Sequence, residues 1–309
     1  MSSNKYATGI GNGSKLTGEC SRSSTRTANG PETGGGSVNF RRLIATHDVL
    51  FITLDTLRYD VAVECWTTGR TPVFQSVMPA SGWEKRHTPG SFTYAAHAAF
   101  FAGFLPTPAS PGVHPRLWAL AFPGSETTTE ETLVFDAPDI VRGFRNIGFR
   151  TICVGGVGFF NALTPLGNVF PSLFDESVWS PELGVTEPRS TEWQVDCLIR
   201  KAVALSSETR LFAFLNVSAI HQPNCYYLAG HTTDSCETQA AALAYVDGQL
   251  GRLFDAFAKR APTVVIVCSD HGTTYGEDGY VGHRLAHPVV WDVPYAEFVL
   301  PHRPNGSGK

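Results

Sequence analysis

The chain has 309 residues, of which 42% are apolar and 17% are charged, and its net charge is −4. The apolar share is large enough for a sizeable core, and the strong basic excess of a dedicated nucleic-acid-binding protein is missing. The longest apolar runs, such as 49–54 and 264–268, fall far short of the roughly 20 residues that cross a bilayer, and no secretory signal pattern opens the chain. Seven scattered cysteines without a C-x-x-C pair favour a reduced environment. We therefore expect a soluble cytoplasmic protein without nucleic-acid or membrane partners.

Residues 1–38 consist mainly of Ser, Gly, Thr and Asn and contain almost no large apolar side chains. Such a segment cannot bury enough surface to offset its ordering entropy, so we predict a flexible tail. The first 42 residues carry six basic and two acidic side chains, a net charge of +4. The tail is interpreted either as a solvated leader or as a docking arm for an acidic partner. Residues 39–309 are predicted to form a single domain.

From Asp48 onward, short apolar runs alternate with helical patterns. Runs typical of strands buried on both faces are found at 48–54, 149–154, 211–217, 264–268 and 296–300. Helical patterns are found at 96–104, 140–147, 193–205 and 238–258. This alternation predicts an α/β fold with a mostly parallel central sheet flanked by helices. The segments 105–123 and 158–189 are predicted to be long loops over the sheet, which tend to be functional.

Acidic residues follow two of the predicted strands directly. Asp55 comes after the first strand, and Asp270 with His271 comes after the fourth. Ligands of open α/β sheets bind at the carboxyl ends of the strands, so two carboxylates and an imidazole at this edge indicate a divalent metal site. The alternative is that both aspartates only cap the helices that follow.

Thr93 lies where the helix of the segment 91–106 should begin. A helix N-terminus favours an anion through its free N–H groups and its dipole. The Thr93 hydroxyl is therefore either an ordinary N-cap or a nucleophile that a bound metal activates.

Several motifs together resemble the sulfatase branch of the alkaline phosphatase superfamily. Asp55-Thr-Leu-Arg-Tyr-Asp60 is similar to its opening motif, and residues 269–283 are similar to its C-terminal metal motif with a following histidine. Residues 214–223 resemble the strand that ends in His-x-Pro, and 245–253 match the helix pattern that follows. The spacing of the nucleophile segment is matched by Thr93, His97, Gly103 and Pro106. The resemblance covers about 45 to 300 in the right order.

The resemblance implies an alkaline-phosphatase-like sandwich that binds one divalent metal. The implied metal ligands are Asp55, Asp270 and His271, with Thr93 completing the coordination as the nucleophile. His221 and His283 would hold the anionic oxygens of the substrate or protonate the leaving group.

Further side chains have weaker implied roles. His97 and His287 are further substrate-binding candidates, although His97 could instead be a buried core histidine. Arg58 and Asp60 are expected to form an ion pair that braces the first turn.

The sequence departs from sulfatases at two informative places. Thr93, Ala95 and His97 stand where sulfatases have Cys/Ser-x-Pro-x-Arg, and threonine lacks the chemistry for conversion to formylglycine. Attack of a threonine on phosphorus is the alternative. Asp55-Thr56 and Asp270-His271 replace the Asp-Asp and Asp-Asn of calcium-dependent sulfatases, which favours zinc or manganese. Because Val217 stands where a second site would need Asp, any second metal should bind more weakly.

The resulting prediction is a metal-dependent hydrolase or phosphotransferase that acts on a phosphate mono- or diester of a small molecule or modified peptide. Alternatives on the same fold are cleavage of a sulfate ester, phosphonate or phosphoramidate. A metal-binding module without catalysis is the non-enzymatic alternative. The sequence gives no indication of the oligomeric state.

Overall fold

The computed structural model describes residues 39–124 and 128–304, so the predicted tail lies outside the described residues. The strands are β1 Asp48–Leu54, β2 Glu84–His87, β3 Thr107–Pro108, β4 Trp118–Leu120, β5 Leu133–Phe135, β6 Arg150–Val154, β7 Glu176–Val178, β8 Leu211–Val217, β9 Thr263–Cys268, β10 Thr274–Tyr275, β11 Val281–Gly282 and β12 Asp292–Leu300. The α-helices are α1 Phe40–Leu43, α2 Tyr59–Thr67, α3 Pro72–Val77, α4 Thr93–Phe101, α5 Ile140–Asn146, α6 Ser190–Ala204, α7 Cys236–Arg260 and α8 Pro288–Trp291. No helix in the described ranges has the length and apolar composition needed to span a membrane.

An eight-stranded sheet in the order β3-β2-β12-β9-β1-β8-β6-β7 forms the centre of the fold. The five strands from β9 to β7 are parallel, whereas β12, β2 and β3 continue the sheet in antiparallel pairs. All residues of β1, β8 and β9 are buried, as expected for strands that are covered on both faces. The predicted mostly parallel sheet flanked by helices is confirmed.

Helices cover the two faces of the sheet and form two separate apolar clusters. On one face, α2, α3, α6 and α7 pack against side chains such as Leu50 and Leu215. On the other face, α4 and α5 pack in a cluster rich in aromatic side chains. There the ring of Phe144 stacks on that of Phe212 with centroids 4.3 Å apart. The central strands are therefore covered by packed side chains on both faces. This packing holds the residues at their carboxyl ends in place.

Three details differ from the sequence predictions. The last strand begins at Asp292 rather than at Ala296, and the helix predicted at 96–104 is Thr93–Phe101. The segments predicted to be long loops contain the short strands β3, β4 and β7, together with 3-10 turns. Strands of two or three residues are too short to produce a recognisable alternation of polar and apolar side chains, because their pairing depends on neighbours that are distant in sequence.

A buried ion pair connects β1 to the end of α7. Arg260 Nε donates to Asp48 Oδ2 at 2.8 Å, and both side chains are almost fully buried. Asp48 Oδ1 also accepts a hydrogen bond from the backbone of Leu211 at 2.8 Å. Further guanidinium hydrogen bonds reach the backbone carbonyls of Ala202, Leu205, Ser206 and Thr209. Arg260 therefore joins β1, the C-terminal end of α6 and the segment that leads into β8.

Replacing Arg260 should strongly destabilise the fold. Arg260→Gln leaves Asp48 buried without its counter-ion, so the free energy of unfolding should fall by about 3–5 kcal/mol. The adjacent Lys259 pairs with Asp255 at the surface. Lys259→Gln should therefore change the free energy of unfolding by less than about 0.5 kcal/mol. Urea denaturation of both variants and the wild type measures the difference. Equal effects of the two substitutions would contradict the assigned role of Arg260.

Candidate active site

Asp55, Asp270 and His271 converge at the carboxyl edge of the sheet. Asp55 follows β1, whereas Asp270 and His271 follow β9, the neighbouring parallel strand. All three side chains are fully buried, and one ligand atom from each lies within 4.8 Å of the others. The predicted convergence of these residues at one edge is therefore present in the structure.

The free ligand atoms of this cluster fit a divalent cation. Asp270 Oδ1 accepts backbone hydrogen bonds from Thr56 and His271 at 3.2 and 3.0 Å, but Asp270 Oδ2 and Asp55 Oδ1 have no hydrogen-bond partner among the described residues. His271 Nδ1 donates to the carbonyl of Gly272 at 2.9 Å, which leaves Nε2 with its lone pair. This is the usual arrangement of a metal-binding histidine. Two carboxylates and one imidazole favour zinc or manganese over calcium.

Burial raises the pKa values of both aspartates. Burial raises the pKa of Asp270 to about 7. Burial also raises the pKa of Asp55, and the nearby Asp270 charge raises it further. Without a cation, the protein therefore disfavours two ionised carboxylates at this position.

Gly272 allows the segment after His271 to pass close to α8. A Cβ atom at this position would lie 1.8 Å from the carbonyl oxygen of Val289, and the Gly272 N–H donates to the carbonyl of Val290 at 2.8 Å. The Asp-His-Gly order therefore has a steric reason in addition to its ligand chemistry.

Thr93 is the first residue of α4 and lies beside the cluster. Its side chain is 3% exposed, and Oγ1 lies 3.3 Å from His271 Nε2 and 3.5 Å from Asp55 Oδ2. The N-cap of α4 is Phe92, and no side chain caps this helix end. The Thr93 hydroxyl therefore faces the cluster instead of capping its own helix, which excludes the N-cap interpretation.

His97 is a structural histidine, which corrects its interpretation as a substrate-binding residue. The imidazole is fully buried, with Nδ1 donating to the carbonyl of Thr93 at 2.7 Å and Nε2 accepting from Thr53 Oγ1 at 3.0 Å. Burial lowers its pKa to about 3, so the ring is neutral. Neither ring nitrogen is left for a substrate. His97 instead holds the first turn of α4.

His221 and His283 lie at the same site. The His283 ring centroid is 4.5 Å from that of His271 and 6.0 Å from that of His221. His221 Nδ1 donates to the carbonyl of Gln222 at 2.6 Å, whereas His283 Nδ1 is buried without a partner in the described chain. Burial and the nearby His271 and His221 lower the pKa of His283 to about 3. Each of these two histidines therefore has a ring nitrogen that forms no hydrogen bond within the described chain.

His287 caps the short helix α8, and its role in substrate binding stays a prediction. It is the N-cap of α8, where Nδ1 accepts from the backbone of Val289 at 3.3 Å, and Nε2 lies 3.1 Å from Asp278 Oδ2. Both ring nitrogens are thus engaged. The expected Arg58–Asp60 ion pair is confirmed at 2.6 Å, and Arg58 also pairs with Glu277.

Sequence reasoning missed three polar residues that position the cluster or its neighbours, namely Thr53, Asn216 and Gln239. Asn216 lies in the apolar strand β8, and its Nδ2 donates to Asp55 Oδ2 at 3.3 Å and to Thr53 Oγ1 at 3.2 Å. Gln239 Nε2 donates to the carbonyl of Thr56 at 2.9 Å, and Thr56 adopts a left-handed conformation with φ 63°. A polar side chain within a fully buried strand was the available signal for Asn216.

Comparison with known proteins places these features in a family. The family model described as Sulfatase matches residues 47–296. The chain belongs to this family. A comparison with curated protein sequences found no significant match.

Solved structures with the same fold come from the alkaline phosphatase superfamily and related transferases. The C-terminal periplasmic domain of phosphoethanolamine transferase EptC from Campylobacter jejuni is 14% identical, with a TM-score of 0.54 over 82% of this chain and 80% of that chain. The soluble domain of lipooligosaccharide phosphoethanolamine transferase A from Neisseria meningitidis is 14% identical, with a TM-score of 0.55 over 82% and 76%. The periplasmic domain of EptC from Escherichia coli in complex with Zn is 11% identical, with a TM-score of 0.54 over 82% and 73%. At these identities, the likeness shows the fold.

The metal-free protein should reveal the charge conflict between the two aspartates. Because the pKa of Asp270 is about 7 when folded and near 4 when unfolded, the folded state binds more protons between these values. The stability that this group contributes is present below pH 4 and is lost as the pH rises to about 7. The stability of Asp270→Asn relative to the wild type should therefore rise by about 2–4 kcal/mol over that range.

Urea denaturation of both metal-free proteins from pH 4 to 8 measures this difference, in which the contributions of the buried histidines largely cancel. Excess zinc should stabilise the wild type and not the variant. A stability difference that does not change with pH would contradict the assignment.

Proposed function

We propose that the protein is a metal-dependent phosphoester hydrolase or phosphotransferase in which Thr93 is the nucleophile. The observation that carries the proposal is the position of Thr93 Oγ1, 3.3 Å from His271 Nε2 and 3.5 Å from Asp55 Oδ2, beside carboxylate oxygens without partners. A hydroxyl in a cluster of metal ligands at a helix N-terminus has the surroundings of an activated nucleophile.

Zinc or manganese is the proposed cofactor, held by Asp55, Asp270, His271 and Thr93. The donor set supports this assignment, and the related EptC structure from Escherichia coli is a complex with Zn. When bound, the ion supplies Lewis-acid stabilisation of negative charge and lowers the pKa of a hydroxyl that coordinates it. His221 and His283 face the same space, where a second, weaker ion could bind.

The reaction proceeds in two displacements at phosphorus. The Thr93 hydroxyl, which donates to Asp55 Oδ2 at 3.5 Å, releases its proton to solvent as Oγ1 forms a bond to phosphorus and the bond from phosphorus to the leaving oxygen breaks. The free N–H groups at the start of α4 stabilise the charge on the phosphoryl oxygens. His221 gives a proton to the departing oxygen, and His283 contacts the phosphoryl group. Water or an acceptor hydroxyl then attacks the phosphothreonine and gives its proton to the now neutral His221. The bond from phosphorus to Thr93 Oγ1 breaks, and Oγ1 regains a proton from solvent.

Transfer to an acceptor is supported by the structural neighbours, which include phosphoethanolamine transferases and a lipoteichoic acid synthase from Listeria monocytogenes. Hydrolysis needs the same residues with water as the acceptor. Sulfate-ester cleavage has less support, because threonine cannot supply the formylglycine that sulfatases use.

Replacing Thr93 should abolish turnover. The metal-stripped protein is assayed on p-nitrophenyl phosphate, its bis-ester and its sulfate, with zinc, manganese, magnesium or calcium restored singly. We expect turnover of a phosphate ester with zinc or manganese, a loss of at least about 1,000-fold in kcat for Thr93→Ala, and partial activity for Thr93→Ser. Thr67→Ala, at an exposed threonine of α2, is the matched control. Turnover of the sulfate ester that survives Thr93→Ala would refute the proposal.

Acid catalysis by His221 is tested separately with the leaving group. His221→Gln should slow the turnover of ethyl phosphate, whose alkoxide needs a proton, about 100-fold. It should slow the turnover of p-nitrophenyl phosphate much less, because p-nitrophenolate leaves without protonation. Equal effects on the two substrates would assign His221 to binding instead.

A further inference from the structure

Arg284 lies at the entrance of the site. It follows His283 directly, and its backbone N–H donates to the carbonyl of Ser91 at 2.9 Å. This hydrogen bond joins the segment after β11 to the residues immediately before Thr93. The side chain of Arg284 is exposed, so its charge remains accessible from solution.

The guanidinium is held by an aromatic ring instead of by an acid. Its Cζ lies 5.3 Å from the centroid of the Phe92 ring, and Phe92 is the residue before Thr93. The Phe92 ring in turn contacts that of Phe159, with centroids 6.3 Å apart. Within residues 39–124 and 128–304, Arg284 forms no ion pair and no side-chain hydrogen bond, since the nearby Asp278 pairs with His287. All its donor groups therefore remain available to a ligand.

The backbone at Arg284 is strained. Its φ is 70°, a left-handed conformation that glycine adopts without cost and that a long side chain disfavours. The preceding Gly282 has φ 94°, so this turn already uses glycine where the conformation requires it. An arginine in such a position is explained by what its side chain does, because the turn itself would be more stable with glycine.

We propose that Arg284 determines specificity by binding a second anionic group of the phosphoester substrate, either a carboxylate or another phosphate. The planar fork of the guanidinium binds both groups through two parallel hydrogen bonds, and the Phe92 ring, whose centroid lies 5.3 Å from Cζ, contributes a cation–π contact on one side of it. The inference rests on the proposed function, because it assumes that the phosphoryl group lies at Thr93. The preferred substrate thus differs from phosphoethanolamine, whose distal group is a cationic ammonium.

A matched series of two-carbon phosphates tests the proposal. Ethyl phosphate has no second charge, O-phosphoethanolamine has an ammonium, phosphoglycolate has a carboxylate, and ethylene glycol bisphosphate has a phosphate. For the zinc-loaded wild type, we expect kcat/KM for at least one of the two anionic substrates to exceed that for ethyl phosphate about tenfold or more. The anionic substrate with the higher kcat/KM shows whether the second group that Arg284 binds is a carboxylate or a phosphate. O-phosphoethanolamine should be the poorest substrate.

Arg284→Gln should remove the preference while keeping the same backbone strain. The ratio of kcat/KM for the preferred anionic substrate to that for ethyl phosphate should fall to about one. Arg284→Lys, which keeps the charge without the fork, should give an intermediate ratio. Arg200→Gln, at an exposed arginine in the C-terminal half of α6, is the matched control and should keep the wild-type ratio. A ratio that survives Arg284→Gln would overturn the proposal.

A binding measurement separates failure of this inference from failure of the proposed function. Calorimetry compares 3-phosphonopropionate with propylphosphonate, which differ by one carboxylate and need no turnover. The wild type should bind 3-phosphonopropionate at least about tenfold more tightly, and Arg284→Gln should bind the two equally. Equal affinity in the wild type, or no binding of either ligand, overturns the inference. If 3-phosphonopropionate binds as expected but no phosphate ester is turned over, the inference about Arg284 stands and the proposed function is refuted.

Discussion

Two buried carboxylates at the ends of adjacent parallel strands are the constraint on which the site depends. The register pairs Thr53 of β1 with Cys268 of β9, so Asp55 and Asp270 reach the same level two residues later. Burial raises both pKa values, the charge of Asp270 raises that of Asp55 further, and neither aspartate has an arginine or lysine partner within the described residues. A divalent cation resolves this conflict by replacing the missing positive charge. The fold thus maintains a charge arrangement that costs stability in the absence of a cation.

Much of the fold and the centre of the site follows from the sequence, because both depend on strong local patterns. Apolar runs of five to seven residues define β1, β8 and β9, and the residue that follows such a strand must lie at the edge of the sheet. The roles of His97 and His287 could not be derived in this way. A histidine is a ligand, a cap or a core residue according to which atoms surround its two nitrogens, and those atoms come from distant parts of the chain. The role of Asn216 was missed for the same reason, because its side-chain amide donates to Thr53 and Asp55, which belong to a distant part of the chain.

The aromatic cluster beneath the site explains why a threonine can be held in position. His97 is neutral and lies among aromatic rings, including those of Phe100, Phe160 and Phe214 at centroid distances of 5.1–5.7 Å. Its two hydrogen bonds connect the first turn of α4 to β1, so Thr93 and Asp55 are positioned by one rigid unit. A short, β-branched side chain has few rotamers, and placing it on such a unit fixes its hydroxyl.

Specificity must come from a different part of the molecule than the metal cluster. The three solved structures described above are 11–14% identical to the chain, and fold likeness at that level does not transmit a substrate. In the proposed reaction, the cluster binds what all phosphoesters share, namely a phosphoryl group with negatively charged oxygens. Discrimination therefore requires side chains that reach past the phosphoryl group while remaining exposed. Arg284 satisfies both conditions, because its backbone is tied to the segment of the nucleophile and its guanidinium rests on the ring next to Thr93. A cation at this entrance attracts a second anion and repels an ammonium, which divides phosphoester substrates by the charge of the group that is not transferred.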